Sequence, residues 1–139
     1  MSASFAERCD AIEECYEFML AYAGQGLASD EGARSGGQVR EFLARAVQAL
    51  TGLAESCSQS AEEEGLEPAD KTEAFIAVLD RDAHDSLAAL EVVIAQPVIS
   101  SQLIDNLNAS IHLRALLTDL FLFDEILKAQ RKSKPAITG

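Results

Sequence analysis

Tryptophan is absent from this chain, and proline occurs three times, cysteine three times, and histidine and tyrosine twice each in 139 residues. So little proline leaves long stretches without a helix breaker. Cys9, Cys15 and Cys57 are odd in number and lack CxxC spacing, which argues against a disulfide framework and a zinc knuckle, so reduced thiols are expected. Basic residues are also scarce. Eleven Lys and Arg stand against 23 Asp and Glu, a formal charge of −12 with a pI near 4.4. That field repels phosphate backbones and anionic lipid headgroups, so no nucleic-acid binding is expected. No apolar run is both long and uncharged. The best, residues 113–127, is interrupted by Arg114, Asp119, Asp124 and Glu125, so no membrane insertion is expected. The opening MSASFAERCD has no basic start leading into an apolar stretch, and the expected location is cytoplasmic.

What is present favours helix throughout. Hydrophobic residues make up 48% of the chain and charged residues 24%, a globular composition rich in Leu, Ala and Glu. The predicted fold is all-α, an antiparallel up-down-up-down four-helix bundle in one domain over residues 1–132, with a disordered tail over 133–139. Helix 1, about 5–24, opens on the capping-box pair Ser4 and Glu7, carries Phe5, Cys9, Ile12, Tyr16, Met19 and Ala23 inward, and stops at Gly24, where glycine permits a left-handed residue. The stretch GQGLASDEGARSGG, residues 24–37, is a loop, and its Gly36-Gly37 pair reads as a hinge. Helix 2, about 36–64, follows the spaced pair Ser35 and Gln38 with one stripe from Val39 to Cys57. Its closing run Glu62-Glu63-Glu64 opposes the helix dipole and should fray or meet cations. Helix 3, about 70–96, starts at Asp70 with Glu73 and is stopped by Pro97. Helix 4, about 100–131, is capped by Ser100 or Ser101, with Ile99 as a staple.

At about 100° per residue, helix 4 has two apolar sectors where a bundle helix needs one. The broad sector holds Ala109, Leu113, Leu116, Leu117, Leu120, Phe121, Phe123 and Leu127. The narrow one holds Ile104, Ile111, Ala115, Leu122 and Ile126, and these five are the predicted partner interface, since contiguous exposed apolar patches mark interaction sites. Two-fold self-association is the economical form, a homodimer; a larger protein partner is the other. Two aspartates fall within apolar sectors: Asp124 on helix 4, and Asp82 on helix 3 among Val78, Ala89 and Val93. Each must be paired, hydrogen-bonded, protonated or at a seam edge that reaches water.

Candidate chemistry is sparse. His84 and His112 lie at similar distances from the turn near Val98, with Asp105 and Asp119 nearby in the pattern, a set suited to iron, zinc or manganese. Neither histidine belongs to the Glu-x-x-His pair of di-iron bundles, because Arg81 and Ala109 stand three residues before them. No cofactor is predicted, and a ferritin-like metal bundle is kept as the alternative. Cys9 and Cys57 lie on inward stripes as candidate buried thiols. A third alternative is an apolar-ligand carrier with Tyr16, Met19, Tyr22 and Phe42 lining the core. No nucleophile triad and no phosphate loop is found, and the favoured reading is a non-enzymatic, accessory or regulatory protein acting by association.

Overall fold

The computed structural model describes residues 4–32 and 34–133, residues 34–36 by their backbone alone. It is all-helical, with six helices among the described residues and no strand: α1 Phe5–Ala23, α2 Arg34–Leu50, α3 Leu53–Glu64, α4 Ala69–Ile94, α5 Ser101–Asn108 and α6 Ile111–Ser133. Two of the four predicted helices are each broken in two. The tail beyond Ser133 lies outside the described residues, and Ser133 itself closes α6.

The first break follows Leu50. Gly52 takes a left-handed φ of 81°, which is strained for any residue with a Cβ. The exposed carbonyls at the end of α2 find a donor from outside: the Arg8 guanidinium of α1 bonds the oxygens of Gln48, Ala49 and Thr51 at 3.3, 3.0 and 2.6 Å. Carbonyls that the helix itself leaves open at its end are thereby satisfied. Arg40 does the same for α4. Its guanidinium bonds the oxygens of Ile94, Gln96 and Pro97 at 3.0, 2.9 and 3.2 Å, while its Nε holds Asp30 at 2.7 Å. The second break lies at Ala109-Ser110, where the Ser110 hydroxyl accepts from the Leu113 N–H as a new helix start.

The expected start of α1 is present in full, with Ser4 and Glu7 bonding each other's backbone at 3.1 and 3.2 Å. Its end differs: Gly24 is right-handed, at φ −76°. The left-handed glycine comes two residues later, at Gly26. The stripe also turns slightly, burying Cys15 and Tyr22 in addition to Ile12 and Met19 and leaving Tyr16 half-buried. Gly36 and Gly37 are not a hinge, because α2 begins at Arg34 and takes both into its first turn. The loop before it is tied down. Ser101 donates its N–H to Leu27 O and its hydroxyl to Tyr22 O, Leu27 N–H donates to the Ser101 hydroxyl, and Tyr22 OH donates to Ile99 O. These bonds dock the start of α5 on the end of α1.

The acidic end of α3 meets the cation expected of it. Gly65 stops the helix in the left-handed region at φ 60°, and Arg131 of α6 pairs with Glu64. A reciprocal amide pair of Gln130 with the Glu67 backbone, at 3.0 and 2.8 Å, fixes the same end of α6. Around one continuous core, α1 packs on α2 and α5, and α4 packs on α2, α3 and α6.

Candidate interaction surface

Breaking predicted helix 4 into α5 and α6 decides where its second apolar sector goes. Ile104 is rephased with α5 and is wholly buried in the chain's own core, so it leaves the predicted interface set. The other four stay on the outer side of α6. Ile111 is 74% exposed and Leu122 49%, with Ala115 and Ile126 half-buried between them and the core. Phe121, also exposed, is turned about 100° away from Leu122.

The antiparallel neighbour α4 extends this face. The Ser86 hydroxyl donates to His112 O at 2.9 Å, and Asp82 is hydrogen-bonded to Asp119. Those two links set the register, which brings Val78 alongside Leu122 and Val92 toward Ile111. Val78 and Val92 are 43% and 58% exposed. Sequence reasoning treated both α4 valines as inward or unremarkable, because a single helix does not reveal which of its edges a neighbour will cover.

The seam of this face carries the aspartate pair. Asp82, expected within an apolar sector, is half-buried and resolves its position by pairing with Asp119. Asp119 is only 9% exposed, and its Oδ2 has no hydrogen-bond partner. Burial pushes the Asp119 carboxyl up to about 7, helped by the hydrogen bond to Asp82 and by that neighbour's charge. Each of these causes favours the neutral form of the Asp119 carboxyl over its carboxylate. Asp124 behaves differently: it is exposed and paired with Lys128 at 2.9 Å.

The four candidate metal ligands do not come together. His84 is exposed, its Nδ1 2.8 Å from Asp80 O and 3.2 Å from the Asp80 carboxylate, beside the α2–α3 break. That partner raises its pKa, chiefly through the backbone oxygen and then the charge. His112 lies on the opposite, α6-facing side of α4, 3.8 Å from Asp85, while Asp105 is exposed on α5. The two histidines share a level along the bundle but point to different sides of α4, because residues 84 and 86 are about 200° apart around a helix. No group of three His, Cys, Asp or Glu that would hold a metal occurs among the described residues.

The thiols are packed. Cys57 is buried and Cys9 half-buried, and burial pushes both up to about 12, Cys9 further raised by Glu13, Asp124 and Asp10 and Cys57 by Cys9 itself. Cys15 is buried and reaches about 12 for the same reason, opposed by Arg45. Such thiols do not form the reactive thiolate at neutral pH. Around Tyr16 and Met19 the interior leaves about 10 Å³, about the space of one water. Phe42 instead stacks on Phe18 at 4.4 Å, with the Arg45 guanidinium over the Phe42 ring, 5.2 Å from its centroid. A larger trough of about 860 Å³ runs between α1, α3 and α6, floored by Phe5, Cys9, Leu120 and Leu127 and rimmed by acids. Burial raises the Glu13 carboxyl there, with Asp10, Asp124 and Glu17 adding to it. No helix is long and apolar enough to cross a membrane among the described residues. Compared with known proteins, the chain matches no family model, no curated protein and no solved structure.

Proposed function

We propose that this chain works by protein–protein association, with the joint outer face of α4 and α6 as its docking surface. The observation that carries the reading is a set of four exposed apolar side chains on two packed helices, Val78 and Val92 with Ile111 and Leu122, around the Asp85–His112 pair, on a chain of charge −12. From Val78 to Val92 on α4 and from Ile111 to Leu122 on α6, the apolar part of the face is roughly 20 Å long and about 20 Å wide. That is roughly 400 Å², about half of the ~800 Å² each partner contributes to a standard interface. Each of the four side chains is already partly covered, so complete burial contributes about 1 kcal/mol apiece. A homodimer uses this face without any further component, and a larger protein uses it as an accessory partner would.

A photo-crosslinking residue placed at Leu122 tests the reading in living cells. Crosslinks at 122, and none from the exposed position Glu63 across the molecule, are the expected result. Leu122→Asp combined with Val78→Asp should remove the assembled species while leaving helicity unchanged by circular dichroism. If position 122 yields no adduct and the double variant sediments like the wild type, association through this face is refuted.

A further inference from the structure

Between the exposed apolar side chains of this face lie the Asp85–His112 pair and the half-buried Asp82, next to the buried Asp119, whose Oδ2 has no hydrogen-bond partner. An apolar docking surface gains nothing from a pair of carboxyls. A surface that receives a cation does, because a buried carboxyl oxygen left without a partner is costly and a charge-assisted bond to it is strong. Among the charged side chains nearby, Asp85 of α4 is engaged with His112 of α6 at 3.8 Å. Arg81 of α4 and Arg114 of α6 are exposed. The chain as a whole supplies a negative field that steers cations toward it.

Resting on the association reading, we propose that the α4–α6 face receives a cationic amphipathic helix of another protein, one Arg or Lys of which reaches the unpartnered Asp119 oxygen beside Asp82. On docking, any proton on Asp119 leaves to solvent and the entering cation bonds the carboxylate in its place. The apolar side chains flanking the cation cover Val78, Val92, Ile111 and Leu122. A second copy of this chain fits less well, because it brings a like charge of −12.

The test is calorimetric, on the full chain. The probe is a synthetic amphipathic helix of about 20 residues with Leu and Ala on one face and a single Arg at the centre of that face. The control peptide has the same composition with the Arg moved to the polar face, which cancels the general attraction of an acidic protein for a cation. At about pH 8 the centred peptide should bind about tenfold tighter than the control, a margin that shrinks at about pH 5.5, where a proton on Asp119 must first be displaced. Titrations near pH 6.5 in buffers of different ionisation enthalpy should show a fraction of a proton released per peptide bound, up to about one. The margin and the proton release should vanish in Asp119→Asn and persist in His112→Gln. Because Asp119→Asn removes a buried acid, it is expected to fold at least as well as the wild type, checked by circular dichroism. Equal affinities for the two peptides, or release that survives Asp119→Asn, overturns the proton-coupled cation site while leaving the apolar face standing as a docking surface. Failure of both peptides to bind overturns it too, and the crosslinking result at Leu122 then decides separately whether the face associates at all. A wild-type dimer in sedimentation that Leu122→Asp converts to monomer assigns the face to a second copy and overturns the cationic-helix occupant.

Discussion

Replacing Asp119 by Asn should stabilise the folded chain at alkaline pH and leave it unchanged in acid. The carboxyl ionises near its ordinary 3.8 when the chain is unfolded and at about 7 when it is folded. Between those values the native state holds a proton that the unfolded state has lost, so stability falls as pH rises through the window and the whole cost is present above it. At about 1.4 kcal/mol per pH unit, the interval corresponds to at most roughly 4 kcal/mol. Asparagine keeps the size and supplies an N–H for Asp82, and should recover about 2–4 kcal/mol at about pH 8, or about 3 °C of melting temperature for each kcal/mol. Well below about pH 3.8 the aspartic acid is neutral in both states, and the two proteins should converge in stability as that range is approached. Urea unfolding followed by far-ultraviolet circular dichroism, from about pH 4 to about pH 9, reads this as a difference between two curves. The chain's large acidic charge acts almost equally on both proteins and cancels in that difference. Curves that stay parallel across the range would refute the placement of Asp119 beneath Asp82. So would an Asn variant that loses stability at high pH.

Other substitutions probe the two breaks and the helix ends. Gly52→Ala must hold a Cβ at φ 81°, and thermal melting should show a loss of about 1–2 kcal/mol. Arg40→Met strips donors from three carbonyls at the end of α4 and removes the partner of Asp30; a loss of about 2–3 kcal/mol is expected in urea unfolding, and hydrogen exchange should quicken around Ala95. Alkylation at about pH 8 should leave Cys15 and Cys57 unmodified in the native protein and label all three cysteines rapidly in urea, since burial holds each thiol near 12. Fast native labelling of Cys57 would contradict its position in the core.

Local sequence by itself determined the helical class, the cap at Ser4, the stops near Gly65 and Pro97, and the pairing of the acidic end of α3 with a cation. Each depends on propensity, on a side chain meeting its own backbone a few residues away, or on charge near a helix end, and needs little knowledge of what packs where. Gly52 lies inside the stripe from Val39 to Cys57 and the Asn108-Ala109-Ser110 step inside predicted helix 4, and periodicity alone favours continuing the helix through both. Only tertiary structure broke those helices, because Arg8 reaches across from α1 to satisfy the end of α2 and because Ser101 is held by Tyr22 and Leu27 some 75 residues earlier. Once α5 and α6 were phased independently, Ile104 turned into the core while Ile111 and Leu122 turned out. The Asp82–Asp119 pair is the clearest case of the same division. Sequence required a partner, a proton or a path to water for Asp82, since an apolar environment does not tolerate a lone carboxylate. Which group would answer depended on the register between α4 and α6, and register is a property of the packed pair and not of either helix.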